Sequence, residues 1–234
     1  MAFRDVAGPH FFRRLMSAMA LDTKTTQLLD RALSKVDDQE TRGTRLLDDA
    51  KRLWGRVQAL MDMNLLPASS DTDPLQLACY AMQLPLREAK NLPAGKLGKS
   101  NVRDRAEQAA EMIVTMLGGK VDESLLDRTA QLLHELPQRN PILDEARLLS
   151  DAVNLDDFGI GGVLQQLIQL CRSGGGVTQV MDGLEKREQY GYWDARLKDS
   201  FHFEPVRQLA RARLTHARQL AALLRQEMNE DRAT

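Results

Sequence analysis

Acidic and histidine side chains are the residues of this sequence that could carry hydrolytic chemistry. Asp151, Asp156 and Asp157 lie in one short segment, and neighbouring carboxylates can move each other's pKa values apart and so divide acid and base roles. Asp156 follows Asp151 by five residues, however, and would point to another side of a helix. The four histidines show no short ligand spacing such as HxxxH or HExxH. Residue types alone therefore predict no independent metal site.

Nucleophilic and phosphate-cradling motifs are also missing. There is no GxSxG elbow. Cys79 and Cys171 each lie in an apolar helical pattern without a CxxC pairing, so we expect two buried free thiols. Glycine-rich turns can bind phosphate, but the triplet at 174–176 lacks a following Lys-Ser/Thr and a preceding strand. We interpret it as a flexible joint.

Charge and hydropathy narrow the partners. Lys and Arg number 32 against 33 Asp and Glu, a net charge of -1, which favours neither nucleic acid nor an anionic membrane as the main partner. Arg13 and Arg14 interrupt the apolar residues at the start of the chain, unlike a signal peptide. No segment has the roughly 20 apolar residues that a membrane span needs. We expect a cytoplasmic protein.

Composition and periodicity predict an all-α fold. Leu, Ala and Met dominate the apolar residues and aromatics make up only 5%, whereas β-sheets favour branched and aromatic side chains. A length of 234 residues suits one domain, predicted at 22–230 after an N-terminal segment 1–21. Apolar spacing and capping residues predict a series of helices. The first begins at Asp22 or Thr23, the second covers 46–61, and the third covers 75–84 with Asp73 as N-cap. The later helices run from Ser100 or Asn101 to Leu117, from Asp122 to about Leu136, over 145–156, over 163–171 and from Pro205 to about Met228. We expect an irregular connection after Leu84.

The predicted C-terminal helix is long and amphipathic, and it must pack on the body of the protein. Its second face carries Arg207, Arg211, Arg213, Arg218 and Arg225. We expect this face to be mainly solvated; the alternative is a docking surface for an acidic partner.

One segment carries a family resemblance. The run Glu145-Ala-Arg-Leu-Leu-Ser-Asp-Ala-Val-Asn-Leu-Asp-Asp-Phe-Gly159 resembles the late motif of the HD-domain phosphohydrolases, EA(K/R)xxxDADxLDxxG, with Val153 at its second acidic position. The family's metal ligand in this motif corresponds to Asp151. His134, in a Leu-Leu-His-Glu run, resembles the histidine that often precedes the motif. The similarity covers about residues 45–228, including the closing helix.

The remaining ligands that the resemblance implies are replaced. The His-Asp pair of the family closes an apolar helix of the form AALLHDIG, and the best match, Ala78-Cys-Tyr-Ala-Met-Gln-Leu-Pro85, has Met82 and Gln83 there. The first family histidine lies in HxxRV, which Leu53-Trp-Gly-Arg-Val57 matches with Leu53. Only Asp151 remains of the expected ligands. One carboxylate, even with His134, would hold a catalytic metal poorly.

Three functional hypotheses follow. The first is a degenerate HD-like protein with no metal or other cofactor, which binds a nucleotide-like phosphorylated ligand or another protein. The second is an active metal-dependent phosphohydrolase, in which Asp151 and His134 hold a divalent metal and Lys99 or Arg103 binds phosphate. The third is a helical interaction module that docks through its C-terminal helix, self-association being its simplest form.

Overall fold

The computed structural model describes residues 21–34, 46–89, 102–172 and 174–233. All regular structure within these ranges is helical, as predicted, and a long helix closes the chain. No helix in the described ranges is long and apolar enough to cross a membrane. The helices are α1 (Thr23–Ser34), α2 (Leu46–Met61), α3 (Asp73–Ala81), α4 (Leu84–Ala89), α5 (Val102–Leu117), α6 (Glu123–Glu135), α7 (Asp144–Asn154), a 3-10 turn (Leu155–Asp157), α8 (Ile160–Arg172), α9 (Val177–Gln189), α10 (Tyr192–Asp199) and α11 (Glu204–Ala233).

Helix α3 lies at the centre of the N-terminal half. Every residue from Pro74 to Ala81 is buried, the pattern expected of a helix that is apolar on all sides. Helices α2, α5, α6 and α7 pack around it. The C-terminal half packs α8, α9 and α11 together, with α10 against α9 and α11. One continuous apolar core runs through both halves.

The helix starts follow local capping chemistry, with one correction. Asp22 accepts hydrogen bonds from the backbone N–H groups of Lys24 and Thr25, and Asp122 caps α6 through Ser124 N at 2.7 Å, both as predicted. Asp73 is not the N-cap of α3, because the helix already begins at Asp73. Its N–H donates instead to Asp71 Oδ1 at 3.1 Å.

Three further predictions need correction. The chain after Leu84 is helical up to Ala89, with Pro85 early in α4, where its missing N–H costs nothing; Ser100, Asn101 and the rest of that connection lie outside the described residues. Helix α8 begins before Val163 and includes Gly162, where an added Cβ would lie 2.5 Å from Asp157 O. The apolar spacing of α5 also predicts that Val114 is buried, but Val114 is 44% exposed at the edge of the buried face.

The two thiols differ in exposure. Cys79 is buried, whereas Cys171 is exposed, so the prediction of two buried thiols is wrong for Cys171. The reason lies in α8, where the apolar residues Ile160, Leu164 and Ile168 also face solvent. Because a helix repeats every 3.6 residues, these positions and Cys171 share one side of α8. An apolar spacing alone does not distinguish this exposed side from the buried one.

Candidate functional site

Asp151 lies in the last half of α7 and is fully buried. Its two carboxylate oxygens accept hydrogen bonds from consecutive backbone N–H groups, that of His202 to Oδ1 at 2.8 Å and that of Phe203 to Oδ2 at 3.0 Å. Phe203 directly precedes α11, whose first turn bonds back to its carbonyl oxygen. The carboxylate therefore binds N–H groups that would otherwise lack partners at the start of the helix.

Opposing effects act on the Asp151 carboxyl. Burial raises its pKa to about 7, because the charged form loses its hydration. The N–H groups of His202 and Phe203 and the positive charge of Arg207 favour the ionised form and lower the pKa. Asp151 therefore carries a proton over much of the acidic pH range. This property suits a group that stabilises the fold and titrates near neutrality.

Two other side chains fix the same turn before α11. Asn154 Nδ2 donates to the carbonyl oxygen of Ser200 at 2.8 Å. Arg207 donates to the carbonyl oxygens of Leu197 at 3.0 Å and Phe201 at 2.8 Å. The connection from α10 to α11 is thus held by both α7 and α11.

A second buried carboxylate has the same role elsewhere. Glu135 Oε2, at the end of α6, accepts the N–H groups of Ile142 at 2.7 Å and Leu143 at 2.8 Å, directly before α7. Glu135 is only 7% exposed. In both cases, a carboxylate on one helix holds the start of a later helix. The contacts of Asp151 are therefore a structural pattern of this fold.

The other residues of the predicted metal site offer poor ligands. Leu53, Met82 and Gln83 are buried, on or next to helices that pack with α7. Leu53 has no donor atom, and the Met82 thioether and the Gln83 amide are weak ligands for the divalent cations that activate water. Both oxygens of Asp151 already accept hydrogen bonds. This donor set does not fit a catalytic divalent cation.

His134 and the proposed phosphate ligands lie elsewhere. His134 is exposed on α6, unlike the buried Asp151. Within the described ranges, no group of three or more His, Cys, Asp or Glu side chains could hold a metal ion. Arg103 projects from the start of α5 with 72% of its side chain exposed and pairs with Glu107 at 3.0 Å. Lys99 lies outside the described residues.

One group of charges was not predicted from the sequence, and we call it the arginine cluster: Asp156, the two arginines that contact it, Arg52 and Arg56, and the two within its electrostatic range, Arg105 and Arg213. Arg56 Nη2 lies 2.5 Å from Asp156 Oδ1, and Arg56 Nη1 donates to the carbonyl oxygen of Ala152 at 2.8 Å. Arg52 Nη2 lies 3.6 Å from Asp156 Oδ2. These two residues lie one turn apart on α2, so both guanidinium groups reach the same carboxylate.

Arg105 and Arg213 complete the arginine cluster from α5 and α11. Burial lowers the pKa of Arg105, and the negative charges of Asp156, Asp157 and Asp49 oppose that effect. Burial also lowers the pKa of Arg213, the charge of Arg56 adds to this effect, and Asp156 opposes it. The Arg213 side chain packs over Gly159, where an added Cβ would lie 3.1 Å from Arg213 Cβ. A left-handed φ of 89° and this close approach both favour glycine there.

Arg56 and Asp156 both belong to the segments that resemble HD-domain motifs, but neither segment indicated that the two side chains pair. No sequence signal pointed to Arg105 or Arg213 either. Arg213 was assigned to a solvated face, but its side chain is partly buried.

The remaining arginines of α11 are either exposed to solvent or form ion pairs with α9. Arg211 is exposed. Arg218 forms a bidentate pair with Glu188 of α9 at 2.7 and 2.8 Å, and Arg225 lies 3.7 Å from Glu185. The arginine face of α11 is thus partly used to dock α9.

No protein family, curated protein or solved structure matches this chain.

Proposed function

We propose that this protein is a degenerate HD-like helical protein that acts as a binding scaffold and does not hydrolyse phosphate esters by the family's metal-dependent route. The geometry of Asp151 carries the proposal: the one family ligand that remains uses both oxygens to hold the start of α11. A hydrolytic metal needs several firm donors and an open coordination position. The buried side chains of Leu53 and Met82 supply neither.

A scaffold for a phosphorylated ligand or a protein remains consistent with the same fold. The helices around α3 form a well-packed core, which can support a binding surface without a reacting centre. The arginine cluster offers one such surface, because guanidinium groups bind phosphate and carboxylate in a planar, two-point geometry. The scaffold hypothesis requires only that these guanidinium groups bind a ligand, without any reaction at the site.

The test combines metal analysis with an activity screen. The purified chain is incubated with Mn²⁺, Fe²⁺ or Zn²⁺, desalted and analysed by mass spectrometry, and the same samples are assayed with a panel of nucleotides and other phosphate esters. We expect less than stoichiometric metal and no hydrolysis above that of buffer. Asp151→Ala should not change either result.

Hydrolysis that requires one of these metals and disappears in Asp151→Ala would contradict the proposal and favour an active phosphohydrolase. Asp199→Ala serves as the matched control, because Asp199 is a carboxylate with 54% of its side chain exposed and a distant ion pair to Arg139 at 3.8 Å. Activity that needs no added metal and is unchanged in both variants identifies a contaminating enzyme and leaves the scaffold proposal intact. Loss of metal-dependent activity in both variants would assign the activity to this chain and would also contradict the proposal.

A further inference from the structure

The arginine cluster carries more positive than negative charge. Arg52 and Arg56 on α2 lie 3.6 and 2.5 Å from the carboxylate of Asp156, and Arg105 on α5 and Arg213 on α11 lie within range of its electrostatic attraction. One carboxylate presents two oxygens and can satisfy few of the donors of four guanidinium groups. The amide oxygen of Gln165, in the orientation that satisfies its hydrogen bonds, accepts from both Nη groups of Arg52 at 2.6 Å. The unused capacity of the cluster to bind an anion therefore lies mainly at Arg105 and Arg213.

Neighbouring carboxylates do not remove this imbalance. Asp157 pairs with another guanidinium, that of Arg196, at 2.7 Å. Asp49 Oδ1 lies 3.1 Å from Arg52 Nη2. Each added negative charge is thus already close to an arginine, and Arg196 brings a further positive charge.

Exposure changes across the cluster. Arg52 and Asp156 have 45% and 36% of their side chains exposed, whereas Arg56 has 12%. Arg105 Nε is buried and has no hydrogen-bond partner among the residues that the structure describes. A buried cationic donor without a partner is costly. An anion that enters from the side of Arg52 would reach groups that gain from its charge.

We propose that the arginine cluster is a binding site for a phosphate group, with Arg105 and Arg213 as the positively charged groups that Asp156 leaves undercompensated. A phosphate offers several oxygens in a tetrahedral arrangement, so it can bridge guanidinium groups that approach from different helices. This inference deepens the proposed function by naming its ligand class, and it assigns the role to Arg105 rather than to the exposed Arg103.

The test measures anion binding to the full chain by calorimetry and by thermal unfolding. The probes are inorganic phosphate, pyrophosphate and AMP, compared with sodium chloride at equal ionic strength so that simple screening is matched. We expect saturable binding and a rise in Tm of at least about 2 °C near saturation. Tighter binding of AMP than of inorganic phosphate assigns the site to an organic phosphate, and equal binding assigns it to the free anion.

Matched variants on α5 test the location. Arg105→Met should weaken phosphate binding by at least about tenfold without lowering the Tm in chloride, because it replaces a buried cation by an apolar chain of similar length. Arg103→Met, two residues earlier on the same helix, should bind like the wild type. If Arg105→Met does not fold, Arg213→Gln serves as the second variant. It should lose phosphate binding and the phosphate-dependent rise in Tm.

The outcomes separate this inference from the proposed function. A Tm rise equal to that in chloride, the absence of saturable binding, or full phosphate binding by folded Arg105→Met and Arg213→Gln would overturn the phosphate site. Those results say nothing about hydrolysis, which the metal and Asp151→Ala experiments decide. Metal-dependent hydrolysis lost in Asp151→Ala would refute the scaffold proposal even if the arginine cluster bound phosphate.

Discussion

The carboxyl of Asp151 couples stability to pH at the scale of a single residue. Its pKa is raised from 3.8 to about 7 in the folded chain, so between roughly pH 4 and 7 the folded state keeps a proton that the unfolded state has lost. The stabilisation is present below the unfolded pKa and is lost as pH rises through the folded pKa, by up to about 1.4 kcal/mol per pH unit within this window.

Substitution by asparagine tests that sign. Asp151→Asn keeps one oxygen that can accept from the N–H group of His202 or Phe203, but its amide NH₂ group then faces the other N–H donor. We therefore expect the substitution to lower the free energy of unfolding by about 1–3 kcal/mol at pH 5. The deficit should shrink as pH rises to 8, because only the wild type loses stability there. Urea unfolding at several pH values measures this, with Asp199→Asn as an exposed control. A deficit that grows with pH would show that the N–H groups and Arg207 outweigh burial.

The two thiols should react at different rates. Cys171 is exposed, while burial raises the pKa of the Cys79 thiol strongly, and alkylation requires an accessible thiolate. Iodoacetamide at pH 8 should modify Cys171 in the native protein and Cys79 only after denaturation. Intact-mass analysis followed by peptide mapping checks this, and rapid native labelling of Cys79 would contradict the burial of α3.

The sequence located Asp151 but not its contacts. The resemblance picked out Asp151 through its neighbours in α7, whereas its partners are backbone N–H groups 51 and 52 residues away. Backbone donors leave no residue-type signal, so only the tertiary structure could reveal them. Arg105 and Arg213 escaped for a similar reason, since only the tertiary fold brings α5 and α11 within electrostatic range of Asp156.

At the scale of elements, periodicity predicted the helices well where one face is buried and capping residues are present. Helix α2 follows the predicted range 46–61, and Asp22 and Asp122 cap as expected. The predicted helix boundaries were wrong where the local sequence signals were ambiguous. An irregular connection was expected directly after Leu84, yet proline is tolerated in the first turn of a helix and Pro85 lies early in α4. The next helix was expected to begin at 163, yet α8 begins earlier and needs a small residue at Gly162 against the Asp157 carbonyl oxygen.

The turn between α10 and α11 depends on Arg207. Its guanidinium donates to the carbonyl oxygens of Leu197 and Phe201 and pairs with Glu204. Arg207→Met keeps most of the aliphatic stem but leaves those carbonyl groups without a charged donor, so we expect a loss of about 1–3 kcal/mol in the free energy of unfolding. Chemical denaturation measures it. Arg211→Met, exposed one turn later, should change stability by less than about 0.5 kcal/mol; equal losses would show that the turn does not depend on Arg207.

At the scale of the whole molecule, the two tryptophans report on opposite halves of one core. Trp54 lies partly buried on α2, and Trp193, 4% exposed on α10, contacts Phe158 edge to face with ring centroids 5.2 Å apart. Because the apolar core continues from α1 to α11 and Asp151 of α7 binds the backbone N–H groups of His202 and Phe203 before α11, neither half has a separate core that could remain folded alone.

The halves should therefore unfold together. Trp54→Phe and Trp193→Phe each leave one tryptophan as the fluorophore. Trp193 Nε1 has no hydrogen-bond partner in the described structure, so Trp193→Phe removes no hydrogen bond. In urea, we expect the fluorescence transition of each variant to coincide with its own loss of helical circular dichroism, the signature of two-state unfolding. A Trp193 signal that changes at lower urea than the helical signal would instead show that α8–α11 detach first, and the contacts of Asp151 and the shared apolar core would then be too weak to couple the two halves.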